Sequence, residues 1–201
     1  GANTITLSEI TQGDGAYSCT IVFTDTAGNA AGALAMTAFT LDTAVDIPSE
    51  STAVTTPTAD STPDVVLTFT QAGTIVVAGT AGCGVASAAV SSGSNTIPLT
   101  TTTDKAYICT ITFTDSAGNP ASALTLTSFT LDTTANAPAE VTAVTALDND
   151  VTPDVTISVD EIGTIAVTGT NCGLSSTSTM AVGNNVVTLT TSGDAAYSCS
   201  I

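Results

Sequence analysis

The chain of 201 residues repeats its landmarks at an interval of 90 residues. Tyr17, Tyr107 and Tyr197 are separated by this interval, and a cysteine follows each of them two positions later. An interval of about 20 to 50 residues would indicate a solenoid, whose repeats do not fold singly. An interval of 90 residues lies instead within the usual size of a domain, about 50 to 250 residues. The sequence therefore predicts a row of similar domains.

The repeat divides the chain into three parts. Residues 44–133 form a complete repeat, in which NTIPL at 95–99 comes late. Since NTITL already stands at 3–7, residues 1–43 correspond to a C-terminal half, and residues 134–201 to the N-terminal part of a third repeat. A half domain would expose apolar side chains and unpaired strand edges. We therefore expect either adjoining repeats of a longer chain or strands from a neighbouring chain to complete both parts.

Apolar and polar residues alternate along the complete repeat, as is typical of half-buried strands. Strands with one dry face predict two antiparallel sheets packed face to face. Pro98 lacks an N–H group, so we expect its strand at a sheet edge. The change of register between Leu126 and Phe129 indicates a bulge. The apolar faces carry Val65, Leu67 and Phe69, then Ile75 and Val77, then Ile97 and Leu99, then Tyr107, Cys109, Ile111 and Phe113.

The five cysteines predict one disulfide in each repeat. A zinc site would require short Cys-x-x-Cys pairs or histidines, and the chain has neither. Cys83 precedes Cys109, and Cys172 precedes Cys199, by 26 or 27 residues, which favours two disulfides. Cys19 has no such upstream residue, so we expect its partner outside the chain. Disulfides that close loops of this size stabilise by about 3 to 4 kcal/mol and indicate a compartment outside the cytosol.

Three motifs of the complete repeat together resemble bacterial immunoglobulin-like (Big-type) repeats. They are Tyr107-Ile-Cys109, Asp115-Ser-Ala-Gly-Asn119 and the closing Phe129-Thr-Leu-Asp-Thr-Thr134. The resemblance implies an all-β fold of tandem immunoglobulin-like antiparallel β-sandwich domains of about 90 residues, with one disulfide each. It also implies that the tyrosine bonds back to the backbone as a tyrosine corner. The chain departs from such sandwiches in lacking a core tryptophan and in placing its first cysteine after the third strand.

A turn motif recurs in the first two parts. Asp25-Thr-Ala-Gly-Asn29 and Asp115-Ser-Ala-Gly-Asn119 combine an acceptor for backbone N–H groups with residues that tolerate tight turns. We predict that the motif is the hairpin loop between the last two strands. The alternative is calcium binding, because Asp and Asn oxygens on a tight loop are hard ligands.

The charge of the chain is strongly one-sided. It has 18 acidic residues and one basic residue, Lys105, and its net charge is −17. Such a polyanion repels nucleic acid and anionic lipid surfaces, so we expect no nucleic-acid partner. No apolar run approaches the ~18 residues of a membrane span, which predicts no membrane insertion. The acidic residues form either a solvated coat or cation sites.

Carboxylates gather at the predicted domain junctions. Close carboxylates repel each other by about 1 kcal/mol at 4 Å in water, and a bound cation would reverse this repulsion. Calcium is therefore the one cofactor that the sequence suggests, although no EF-hand spacing is present. The tentative ligands are Asp42, Asp60 and Asp64 at the first junction, and Asp132, Asp148, Asp150 and Asp154 at the second.

An enzymatic function is not predicted. The chain has no histidine, its only basic residue is Lys105, and no serine stands in a nucleophile elbow. No catalytic residue is therefore assigned. The sequence predicts a secreted or cell-surface structural subunit, part of an extracellular filament, stalk or matrix fibre, whose partners are copies of itself or adjoining repeats. The alternative is an adhesin module that binds a carbohydrate or a protein on another cell.

Overall fold

The computed structural model describes residues 2–7, 13–80, 82–84, 88–145, 148–175 and 178–201. Within these ranges the chain forms strands and no helix, and the strands pair in antiparallel sheets. The prediction of an all-β chain is therefore confirmed. No helix of the described residues could cross a membrane.

The chain divides into two compact units. The first comprises residues 1–133 and the second comprises residues 134–201. The division coincides with the domain boundary predicted after residue 133. The boundary predicted after residue 43 lies inside the first unit.

The N-terminal part of the first unit contains only short strands. The strand β1 pairs with β4, and β2 pairs with β3. None of the described side chains of residues 2–43 is fully buried. Two-stranded pairs of this kind are marginally stable by themselves. The four strands are β1 (Gly15–Tyr17), β2 (Thr20–Ile21), β3 (Leu34–Ala35) and β4 (Phe39–Leu41).

Nine further strands complete the first unit. They are β5 (Ser49–Thr52), β6 (Asp64–Phe69), β7 (Gly73–Gly79), β8 (Ala88–Val90), β9 (Gly93–Pro98), β10 (Lys105–Tyr107), β11 (Cys109–Asp115), β12 (Leu124–Thr125) and β13 (Phe129–Leu131). One sheet has the order β5-β6-β9 and another the order β12-β11-β7-β8, while β10 pairs with β13. Pro98 ends the edge strand β9, as predicted.

The two larger sheets share one hydrophobic core. Every residue that the alternation assigned to an apolar face in this part is buried. Phe69 of β6 and Phe113 of β11 meet with ring centroids 5.1 Å apart. Leu126, Phe129 and Leu131 are buried in the same core. The core therefore depends on the final residues of the repeat as well as on its four longest strands.

The bulge predicted between Leu126 and Phe129 is wrong. The strand β12 pairs with β11, whereas β13 pairs with β10, so the residues between them carry the chain from one sheet to another. A bulge and a change of sheet both move side chains to the opposite face, and only the long-range pairing distinguishes them. Register shifts do occur between Glu50 and Thr52 and, 90 residues later, between Glu140 and Thr142.

The second unit contains eight strands. They are β14 (Ala139–Thr142), β15 (Asp154–Val159), β16 (Gly163–Thr164), β17 (Thr168–Gly169), β18 (Gly173–Leu174), β19 (Thr179–Met180), β20 (Gly183–Thr190) and β21 (Cys199–Ser200). The main sheet has the order β14-β15-β20-β18, while β16 pairs with β19 and β17 with β21. The buried core of the second unit is smaller than that of the first and consists of Val155, Ile157, Met180, Val187 and Leu189.

Strand register follows the sequence repeat. Asp64 pairs with Pro98 in the first unit, and Asp154 pairs with Thr188 in the second. Both residues of the second pair lie 90 positions after those of the first. Repeated sequence thus produces the same pairing of these strands.

Candidate functional site

The two disulfides join the pairs that the cysteine spacing predicts. Cys83 is bonded to Cys109, and Cys172 to Cys199, with Cα atoms 5.7 and 5.9 Å apart respectively. The Cys109 side chain lies in the core, so this link ties the loop after β7 to the interior. Cys19 is free and half-buried, and its partner outside the chain stays a prediction.

All three repeated tyrosines bond back to the backbone. The Tyr107 hydroxyl donates to the carbonyl oxygen of Thr103 at 2.8 Å and accepts from the Thr102 N–H group at 3.1 Å. The Tyr197 hydroxyl donates to Gly193, and the Tyr17 hydroxyl donates to the residue four positions before it. The hydrogen bond of a tyrosine corner is therefore present at each repeat.

The Asp115–Asn119 turn is held by its first carboxylate. One oxygen of Asp115 accepts from the N–H groups of Ala117, Gly118 and Asn119 at 2.9, 2.7 and 2.8 Å. The other oxygen accepts from the side-chain amides of Asn119 at 2.8 Å and Gln71 at 3.0 Å. Both oxygens are thus occupied by donors of the chain, which favours a structural role for the turn. The turn follows β11 and leads to β12, which pairs with β11, so it forms a hairpin loop; the last strand of the repeat is β13, not β12.

Hydrogen bonding also controls the ionisation of this carboxyl group. Burial favours the neutral form of Asp115, but the bonds from Asn119, Gly118 and Ala117 outweigh it and lower its pKa. In the exposed counterpart Asp25, bonds from Asn29 lower the pKa in the same way. Both turns therefore retain an ionised aspartate down to unusually low pH.

The Asp115–Asn119 turn also contacts the linker that enters the complete repeat. The Asn119 amide donates to the carbonyl oxygen of Asp42 at 3.0 Å, and the Gln71 amide donates to that of Ala44 at 3.3 Å. Val45 then packs against the core. The turn thus fixes the linker to the body of the repeat.

The acidic residues predicted at the first junction have separate local roles. The Asp60 carboxylate accepts from the N–H group of Thr62 at 2.8 Å, which closes a tight turn. Asp42 accepts from the Ala44 N–H group at 3.3 Å. Asp64 is exposed at the start of β6.

The acidic residues predicted at the second junction also have separate local contacts. Asp150 accepts from the Thr152 N–H group at 2.9 Å, as Asp60 does from Thr62, and Asp154 accepts from the Thr188 hydroxyl at 2.7 Å. Asp148 accepts from the N–H group of Asp150 at 3.0 Å. The Asp132 N–H group donates to the carbonyl oxygen of Thr58. In the part of the chain that the structure describes, no three acidic or cysteine side chains converge as metal ligands, and calcium binding stays a prediction.

A large groove opens in the second unit, lined by polar and apolar residues alike. Its volume is about 1020 Å³. Val155, Ile157 and Leu189 form its floor, Tyr197 and Cys199 line one side, and Glu140 is also among its lining residues. We call this feature the second-unit groove. A second cavity of this unit is smaller, about 110 Å³.

The first unit exposes several large apolar side chains. Phe23 is 68% exposed and Leu34 is 66% exposed. Phe113, which stands 90 positions after Phe23, is only 1% exposed.

One contact escaped sequence reasoning. The Glu50 carboxylate accepts from the N–H group and the hydroxyl of Thr127, at 2.8 and 2.9 Å. The partners are 77 residues apart, so no local pattern marks them. The repeat could have pointed to this contact, because both residue types recur at the corresponding positions. Glu140 corresponds to Glu50, and Thr37 corresponds to Thr127.

No protein-family model matches the chain, and no curated protein shows significant similarity to it. The functional argument therefore depends on the disulfides, the turn and the contact of the turn with the linker.

Proposed function

We propose that the chain is a structural segment of an extracellular fibre, stalk or matrix, built from tandem immunoglobulin-like β-sandwich domains. The observation that carries the proposal is the attachment of the linker to the repeat that follows it. Asn119 and Gln71 bind the carbonyl oxygens of Asp42 and Ala44, and neither bond serves the core of the repeat. A linker fixed in this way transmits orientation and load from one domain to the next.

Two further features support the same function. The Cys83–Cys109 disulfide resists unfolding and favours an oxidising compartment. The turn and the tyrosine corner recur from one repeat to the next. Such recurrence is expected of a structural repeat, because successive domains of a fibre have the same function. A dedicated binding domain would be expected to differ from its neighbours.

Immunogold electron microscopy of the source cells tests this proposal. Antibodies against residues 44–133 should label filaments or matrix outside the cell. Thiol trapping before lysis, followed by mass spectrometry, should find Cys83 and Cys109 oxidised. Label inside the cytosol together with reduced cysteines would contradict the proposal. The adhesin alternative stays a prediction, and label confined to sites of contact with another cell would favour it.

A further inference from the structure

The outer face of the paired strands β7 and β11 consists of uncharged side chains, although the chain as a whole is strongly acidic. The two strands pair from Cys109 opposite Gly79 to Asp115 opposite Gly73, and along both of them core and surface positions alternate. We call the side chains at the surface positions the neutral face. They are Thr74, Val76 and Ala78 of β7, and Thr110, Thr112 and Thr114 of β11. The outer face of the other large sheet, by contrast, includes the exposed Asp64.

Exposed apolar side chains of the complete repeat lie on or beside this face. Val76 lies in its middle and is 51% exposed. Ile108 directly precedes β11 and is equally exposed, and it continues the face because the Thr80 N–H group donates to its carbonyl oxygen in line with the ladder. Among the described residues of the complete repeat, Ile47 is the one other large apolar side chain exposed to this degree. The neutral face therefore combines apolar surface with an absence of carboxylates.

Hydroxyl groups at this face already have acceptors within their own sheet. The Thr112 hydroxyl donates to the carbonyl oxygen of Val76, and the Thr80 hydroxyl donates to that of Ile108, both at 3.3 Å. A partner that covered the face would leave neither donor unsatisfied, so the cost of an orphaned hydroxyl would not arise at these two positions. The face can thus be buried by a neutral surface.

Charge decides which partner fits the neutral face. A cationic partner would be attracted to the acidic surfaces of the chain instead, because the neutral face offers no carboxylate. A second copy carries the same net charge of −17, so contact through acidic surfaces would bring like charges together and remove them from water. Contact through the neutral face avoids this cost. We propose that a second copy of the chain packs on it, so that two identical faces meet about a two-fold axis.

The repeats on either side carry uncharged residues at the same positions. Those 90 residues before the β11 positions are Thr20, Val22 and Thr24, and those 90 residues after the β7 positions are Thr164, Ala166 and Thr168. The face of one repeat falls well short of the roughly 20 to 30 residues per partner in a stable interface. A single contact is therefore weak, and contacts in series strengthen one another along a fibre. The inference rests on the proposed function and identifies the surface by which neighbouring fibres associate laterally.

Sedimentation velocity of the 201-residue chain tests the contact over a range of concentrations, at about 50 mM and about 500 mM NaCl, since salt screens the repulsion between copies. The parent should form dimers at high concentration, and more of them at high salt. Val76→Glu should weaken dimerisation by at least about tenfold, because each dimer would bury two unpaired carboxylates. The matched control is Val186→Glu, which should dimerise like the parent. Val186 is 59% exposed and lies opposite Thr156, as Val76 lies opposite Thr112, but it belongs to the sheet of β15 and β20.

Cysteine cross-linking locates the contact independently of its affinity. Thr112→Cys, in a Cys19→Ala background that removes the free thiol, should give disulfide-linked dimers under mild oxidation. Thr96→Cys in the same background should stay monomeric, because Thr96 is exposed on β9 in the other sheet. A parent chain that stays monomeric at high salt, a Val76→Glu chain that dimerises like the parent, or equal cross-linking at the two cysteine positions would overturn the contact. Labelled extracellular filaments in the microscopy experiment would still support the proposed function in that case.

Discussion

Single residues of the Asp115–Asn119 turn perform two tasks. The Asn119 side-chain amide donates both to the Asp115 carboxylate and to the carbonyl oxygen of Asp42. Because one amide group serves both acceptors, the conformation of the turn and the position of the linker are coupled. The sequence motif predicted the turn, since its Asp, Gly and Asn residues are local signals. It could not predict the contact with Asp42, which joins residues 77 positions apart.

Asp115→Asn should flatten the acid dependence of stability. The folded-state pKa of Asp115 is lowered from the ordinary value of 3.8, so its ionised form stabilises the fold above that pH. This contribution is lost as the pH falls from about 4 through the folded-state pKa. Thermal unfolding followed by circular dichroism at pH 7 and at several values between 4 and 2 measures it. The variant should melt lower than the parent at pH 7, and the difference should shrink towards pH 2.

The exposed Asp64 provides the control for this prediction. Asp64→Asn should melt close to the parent at pH 7, because this carboxylate lies at the start of β6 away from the turn. Equal acid slopes for the Asp115→Asn chain and the parent would show that the turn does not bind an ionised carboxylate.

At the scale of strands, the sequence predicts pairing that depends on local patterns. The alternation in β6, β7, β9 and β11 identified the buried faces because each face repeats every second residue. The path from β12 to β13 could not be predicted in this way. Which sheet a two- or three-residue strand joins depends on contacts with distant strands, and such short segments carry too little alternation to decide it. The second-unit groove is likewise a property of tertiary packing.

Removing the Cys83–Cys109 disulfide should destabilise the complete repeat by about 3 to 4 kcal/mol, the chain-entropy value for a loop of this size. The double variant Cys83→Ala/Cys109→Ala tests this by urea unfolding under oxidising conditions. Cys19→Ala is the control, because Cys19 forms no disulfide in the structure. A double variant as stable as the parent would show that the core alone holds β7 and β11 together.

The backbone conformation at the end of β7 requires a glycine. Gly79 has a φ of +139°, and a Cβ atom there would collide with the backbone of Ile108. Gly79→Ala should therefore destabilise the first unit by about 1 to 3 kcal/mol, the usual range for strained backbone. Gly32→Ala is the control, since its Cβ atom would meet no neighbour within 4 Å. Urea unfolding of both variants measures the difference, and equal midpoints would contradict the requirement.

At the scale of the whole molecule, charge and covalent links act in opposite directions. The eighteen acidic residues, opposed by only one lysine, repel one another and favour expansion, whereas two disulfides and one larger core oppose it. The predicted calcium sites would relieve this repulsion locally, yet Asp60 and Asp150 already accept hydrogen bonds from neighbouring threonines. The acidic residues thus serve individually as acceptors in turns, and their summed charge acts on association and solvation.

If the acidic residues act only through their summed charge, divalent cations should stabilise the chain by screening alone. Calcium and magnesium chloride at equal concentration should raise the unfolding temperature equally, because screening depends on ionic strength and not on ligand geometry. Differential scanning calorimetry of the chain after chelation, with each cation added back, measures the two shifts. Asp148→Asn/Asp150→Asn is the matched variant for the second junction. A calcium shift that exceeds the magnesium shift and disappears in this variant would contradict screening and establish a calcium site there.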